Sequence, residues 1–243
     1  MTTTSENWYS SWFDTDYYHI LYKDRGYEEA ELFMKNLTTF LKLKKGSSIL
    51  DLACGKGRHS IYLNKLGYDV TGVDLSPNSI EHAKKFENKN LHFQVHNMCE
   101  PMGQKFDAVF NLFTSFGYFE NESDNLSTIK AIKENLTADG AGVIDFLNVE
   151  KTLKNLVPSE VKTIKNIDFH IKRFIENGFI IKEISFEDKG ESFHFVERVK
   201  ALTPNDFKEY FKEAGLTMTN CFGDYNLNRF QAKDSERLIM VFQ

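Results

Sequence analysis

Asp51, Ala53, Gly55 and Gly57 stand at alternate positions in "LDLACGKG", residues 50–57, where an apolar run breaks into small residues; Asp74 closes the next apolar run. Glycine at a strand-to-helix turn lets a ligand lie against the main chain, and the free amides opening the helix favour a negative group. A carboxylate ending the neighbouring strand can accept hydrogen bonds from both hydroxyls of a ribose. The pair therefore reads as a nucleoside site across the carboxyl ends of two strands. A dinucleotide fingerprint requires Gly-x-Gly-x-x-Gly, whereas the run from Gly55 is Gly-Lys-Gly-Arg-His-Ser. Asp51 points the same way. A strand-end carboxylate repels a pyrophosphate and attracts an ammonium group. A nucleoside carrying an amino acid, S-adenosyl-L-methionine, suits these residues better than NAD.

The elements that must position them follow from periodicity. Residues 28–43 carry Ala30, Phe33, Met34, Leu37, Phe40 and Leu41 at helical spacing. "SSILDLA" reads as a buried strand, residues 58–66 as a helix stopped by Gly67, and "DVTGVDL" as a second strand. Ser76-Pro77 opens a helix to about Phe86, with a hydroxyl cap and proline in the first turn. "LHFQVHN" and "FDAVFNLF" are the third and fourth strands, a helix spans about 123–136, and "GAGVIDFL" is the fifth strand. Strands alternating with helices imply right-handed crossovers and a parallel sheet covered on both faces.

The rhythm changes over residues 164–202. Three runs rich in β-branched and aromatic residues, "IDFHIKRFI", "FIIKEISFE" and "SFHFVERVKAL", are separated by Asn177-Gly178 and Asp188-Lys189-Gly190, both hairpin signals. This predicts an antiparallel β cap over the cleft, inserted at 148–202. Thr203-Pro204 opens a further helix, and "LTMTNCF" and "ERLIMVF" close the chain as a hairpin at the sheet edge.

The whole set, in this order, resembles the class I S-adenosylmethionine-dependent methyltransferases, small-molecule branch. "LDLACGKG" looks like their glycine motif with Ala53 in place of the first glycine, and "VDLS" is similar to their ribose-binding segment. "HNMCE" resembles the adenine-contacting segment, with Asn97 where an aspartate is common; "NLFTSFGYF" looks like the fourth-strand motif. The resemblance covers about residues 46–147 and 203–243. It implies an α/β fold with a seven-stranded Rossmann-like sheet, mostly parallel with a reversed last strand. It implies as cofactor site Asp51, Ala53, Cys54, Gly55, Gly57, Asp74, Leu75, Ser76, Asn97, Met98, Asn111, Leu112 and Phe113. By the same resemblance, residues 1–45 fold over the cofactor, with Tyr22 lining the site and Arg25 pairing with the methionine carboxylate. S-adenosyl-L-homocysteine is then the product.

Methyl transfer is an in-line displacement that needs a positioned nucleophile, exclusion of water and sometimes a proton acceptor. His19 and His194 are the candidate bases, and Tyr118 a ring facing the acceptor. Arg58 and His59, just inside the glycine turn, read as ordinary helix residues. The expected reaction is methylation of a nitrogen or oxygen of a small molecule. A nicotinamide-dependent oxidoreductase and a non-catalytic cofactor-binding partner subunit are the competing classes.

Composition narrows the partners. The chain has 243 residues, 41% hydrophobic and 27% charged, with a net charge of -5 and lysines spread along its length, which disfavours nucleic acid. "MTTTSENWYSSW" has no basic segment followed by an apolar one, and no apolar run approaches the ~20 residues that cross a bilayer. Three cysteines without paired spacing predict no metal cluster and no disulfide framework, and fit a reducing cytoplasm. Sequence carries no sign of the oligomeric state.

Overall fold

A computed structural model describes residues 12–22 and 27–243. Helices α1 (Asp16–Leu21) and α2 (Tyr27–Phe40) precede an alternating run: β1 (Ser48–Leu52), α3 (Arg58–Lys65), β2 (Asp69–Asp74), α4 (Pro77–Lys84), β3 (Leu91–Val95), β4 (Phe106–Asn111), α5 (Glu122–Asn135) and β5 (Leu136–Leu147). After a short α6 (Val149–Lys154) come β6 (Ser159–Ile164), β7 (Ile167–Glu176), β8 (Phe179–Asp188) and β9 (Glu191–Lys200). The chain closes with α7 (Pro204–Ala214), β10 (Met218–Phe222) and β11 (Arg237–Phe242).

Seven strands form one sheet in the order β10-β11-β5-β4-β1-β2-β3. All pairs from β5 to β3 are parallel, and β11 runs antiparallel to both β5 and β10. Alternate side chains of β1 enter two different cores. Leu50 and Leu52 pack with Phe207, Phe211 and Ile132 on the α5 and α7 face, while Ile49 packs with Phe33, Met34 and Ile80 on the α2 and α4 face. The chain leaves β1 toward β2 and β3, then returns to β4 on the other side. That reversal opens a crevice at the carboxyl end of β1.

The turn at this crevice is held by packing as well as by ligand needs. Gly57, the N-cap of α3, has φ +83°, and a Cβ added there would lie 2.7 Å from the Phe93 ring. Gly57→Ala combines left-handed strain with overpacking and is expected to destabilise the protein by about 2–4 kcal/mol, measured by urea unfolding. An unchanged midpoint would mean the Phe93 ring can move aside.

A separate four-stranded antiparallel sheet has the order β6-β7-β8-β9. Its three turns, Lys165-Asn166, Asn177-Gly178 and Lys189-Gly190, place both central residues at positive φ, the geometry that continues strand twist. The sequence reading contained three of these strands. It missed β6 because "SEVKTI" is exposed or half-exposed throughout and carries no buried alternation. Also absent from that reading was α6, and β5 begins at Leu136, directly after α5, rather than at Gly140. The inner face of this sheet, with Phe169, Ile171, Ile184 and Phe186, shares a third core with Trp12 and Leu21, so the segment around α1 packs on it, and none of the sheet's own residues borders the cleft at the end of β1. Among the described residues no helix is long and apolar enough to cross a membrane.

Candidate active site

Asp51, one residue before the end of β1, and Asp74, the last residue of the neighbouring β2, flank the glycine turn. Asp74 Oδ2 accepts the Gly55 N–H at 2.8 Å and Oδ1 accepts the Ser76 N–H at 2.9 Å. The Leu75 N–H adds a third donor, and a carboxylate's four acceptor sites leave room for a ligand hydroxyl. Burial raises the Asp74 pKa against the lowering effect of those amides. Asp51 is 1% exposed and accepts hydrogen bonds from Ser60, from its Oγ at 2.6 Å and from its backbone N–H. Burial pushes its pKa up to about 7. No ion pair to it is found among the described residues. The nearby Arg58 charge opposes the rise in pKa without overcoming it, so the buried carboxyl favours a further cationic group from a ligand. Ala53 at φ 57° and Gly55 at φ 55° turn the backbone between the two acids.

These residues floor a cavity of about 680 Å³. Asp51, Ala53, Cys54 and Gly55 line it from the turn, Asp74 and Leu75 from the end of β2. Asn97 and Met98 enter after β3, and Leu112 and Phe113 after β4. His19, Tyr22 and Tyr118 border the same space. Three residues proposed for the cofactor stand behind the lining. Gly57 shapes the turn, and Ser76 Oγ caps α4 by accepting the Ser79 N–H at 3.0 Å. Asn111 is fully buried, its Nδ2 donating to the Leu52 carbonyl at 3.4 Å. Arg25 lies outside the described residues. His194 sits on the exposed face of β9, 2.9 Å from Ser185 Oγ, and does not border the cavity. Its strand neighbours Phe193 and Phe195 turn inward against Phe186, which forces His194 outward.

The far wall is aromatic. Ring centroids run Tyr118 to Phe13 at 5.4 Å, Phe13 to Tyr18 at 4.9 Å and Tyr18 to Tyr22 at 4.8 Å. This wall is tied down at two ends. Glu197 Oε1 accepts from Trp12 Nε1 at 2.7 Å and from the Tyr22 hydroxyl at 2.6 Å, with Lys182 paired to the same carboxylate at 3.6 Å. Asp14 accepts from Ser76 Oγ and Asn78 Nδ2 on the start of α4. His19 is half-buried, and burial, then Lys56, lowers its pKa. The imidazole is thus neutral at physiological pH.

Arg58 and His59 are cleft residues, not ordinary helix residues. His59 stacks on Phe113 at 4.7 Å and 21°, and the Arg58 guanidinium lies 4.8 Å from the same ring. Burial, then Arg58, lowers the His59 pKa to about 3. Their place in the first turn after Gly57 was the available signal, because a helix that begins at a ligand-binding turn presents its first turn to the ligand.

The chain's own residues fit an adenosyl amino acid: paired acceptors on Asp74 for a ribose, an unpaired buried carboxyl for an ammonium, and bare backbone between. A family model described as a methyltransferase domain matches residues 43–215. The chain is 35% identical over 216 residues to the putative methyltransferase YqeM of Bacillus subtilis, covering 83% of this chain and 85% of that protein. It is 29% identical over 215 residues to a dTDP-3-amino-3,4,6-trideoxy-alpha-D-glucopyranose N,N-dimethyltransferase of Streptomyces venezuelae, covering 83% and 89%. In fold it is similar to an S-adenosylmethionine-dependent methyltransferase from Clostridium acetobutylicum, with a TM-score of 0.79 at 19% identity, over 93% of this chain and 95% of that one. With the acid-flanked glycine turn at the crevice of a sheet whose last strand is reversed, these matches show that the chain belongs to the S-adenosylmethionine-dependent methyltransferase family.

Proposed function

We propose that the protein methylates a small-molecule acceptor, at a nitrogen in preference to an oxygen. The observation that carries this reading is a single cavity that joins the acid-flanked bare turn to a wall of rings, with His19 on its border. When bound, S-adenosyl-L-methionine supplies a methyl group on a positively charged sulfur. Asp74 would hold the ribose hydroxyls, and Asp51 the ammonium. Asn97, Met98 and Leu112 would border the adenosyl group, and Arg25 would pair with the methionine carboxylate. S-adenosyl-L-homocysteine would then be released.

Phe13, Tyr18 and Tyr118 exclude water and present ring faces that favour a cationic amine. His19, neutral, accepts the proton an ammonium acceptor must lose before it can attack. Nitrogen is favoured because the Streptomyces relative is named for methylating an amino sugar. A net charge of -5 disfavours nucleic acid as the acceptor. Cys54, Cys99 and Cys221 are all free thiols, which suits a reducing cytoplasm as the compartment.

Incubation with methyl-labelled cofactor and a metabolite extract is expected to label a small product, and label confined to RNA or protein would overturn the reading. With that acceptor, His19→Ala is expected to lower kcat by roughly tenfold near neutral pH, with partial recovery as pH rises and the free amine deprotonates by itself. A variant whose kcat matches the parent at every pH would remove His19 from the proton path.

A further inference from the structure

After β4 the cleft wall passes through two consecutive left-handed residues, Phe113 at φ 57° and Thr114 at φ 61°. Neither is glycine, so the turn is held against its own conformational preference. What holds it lies behind the wall. Asp145, fully buried in β5, accepts the Phe113 N–H on Oδ2 and the Thr114 N–H on its carbonyl, both at 2.9 Å. Arg237, opening β11, donates Nε to Asp145 Oδ1 at 2.8 Å and Nη2 to Thr114 Oγ1 at 2.9 Å. The Tyr225 hydroxyl reaches Asp145 Oδ2 at 3.3 Å, and its ring lies 5.3 Å from Phe113 and 4.4 Å from Phe33. None of Asp145, Arg237 and Tyr225 borders the cavity, whereas Phe113 does.

We propose that Asp145, Arg237 and Tyr225 form one unit of positioning residues that holds the Phe113 wall of the transfer cleft in place against Arg58 and His59. A buried ion pair adds little net stability, and its worth lies in geometry when both charges are satisfied in one arrangement only. Arginine suits the place because its planar fork reaches Asp145 and Thr114 at once, which a lysine ammonium on a flexible stem does not. Only the link to methyl transfer rests on the function proposed above; the positioning itself concerns the protein alone.

The test therefore begins with ligand-free protein. In Arg237→Met, hydrogen exchange at the Phe113 and Thr114 amides is expected to rise roughly tenfold or more, while Ile184 in the cap sheet stays within about twofold. Freed from its stacked ring, His59 is expected to titrate by nuclear magnetic resonance at a pH at least about one unit above the parent's. Arg237→Lys should recover part of both changes. Should Arg237→Met fail to fold, Tyr225→Phe keeps the ring and is expected to raise exchange at Phe113 about two- to threefold. Unchanged exchange at Phe113 and Thr114, or acceleration spread evenly over both sheets with no change at His59, would overturn the proposal. Titration of the parent protein with S-adenosyl-L-homocysteine separates the two readings: no heat there defeats the methyltransferase site and leaves the loop result standing.

Discussion

Asp74→Ala is expected to weaken S-adenosyl-L-methionine binding by on the order of 10²–10³-fold, read by isothermal titration calorimetry. Two hydroxyl donors to one carboxylate contribute about 1.5–3 kcal/mol each when the acceptor is charged, about 3–6 kcal/mol together, so the expected loss lies at the lower end of what the pair can supply. The loss goes beyond the ligand. Asp74 also takes the Gly55 and Ser76 amides, one on each oxygen, so it braces the turn it shares with the cofactor. Asp74→Asn tests this division. An amide has one accepting oxygen, so one of those two N–H groups must face an NH₂ group, and binding is expected to fall to an intermediate level. An affinity for Asp74→Ala within about threefold of the parent would sink the ribose assignment.

Asp51→Asn is expected to move stability and binding in opposite directions. In the folded protein burial raises the Asp51 pKa from 3.8 to about 7, so the native state keeps a proton that the unfolded chain has already lost. Stability from this group is therefore full below pH 3.8, falls as pH rises through the window up to about 7, and is flat above it. Each pKa unit corresponds to about 1.4 kcal/mol, so the ligand-free penalty at pH 8 is of order 4 kcal/mol at most. The asparagine variant carries no such penalty and should melt higher than the parent at pH 8, with the gain shrinking toward pH 5. Binding runs the other way. An ammonium group stabilises the ionised carboxyl, so parent affinity should improve as pH rises through about 7. The variant should bind roughly 10–100-fold more weakly at pH 8 and lose this pH dependence. A variant that melts lower than the parent at pH 8, or binds with the parent's pH profile, would show that Asp51 is not the unpaired acid of the site.

Much of the frame was legible because it is local. The β1–α3–β2 unit announces itself through an apolar run, small residues and a second acid within one short stretch. The hairpin turns of the cap are written in Asn177-Gly178 and Lys189-Gly190, whose backbone geometry few other pairs adopt cheaply. Side-chain direction in the cap was less legible. Period-two alternation in β9 separates His194 from Phe193 and Phe195 but does not say which set faces inward, and the aromatic set won because Phe186 and Trp12 bury it. His19 and His194 looked alike in sequence; one borders the cavity and the other faces solvent.

By itself the sequence determined the alternating frame and the acid-flanked turn, since each depends on neighbours a few residues apart whose propensities and spacing suffice; the reversed last strand came from the family resemblance, because its pairing joins Arg237 to Leu147 across the chain. Tertiary structure alone decided the wall of the cleft. Arg58 lies over Phe113 beside a 113–114 turn bonded to residues of β5 and β11, and Tyr22 borders the site with its hydroxyl bonded to Glu197 of β9. Those contacts join segments far apart in the chain, and their strength comes from burial and fixed geometry that no local pattern encodes.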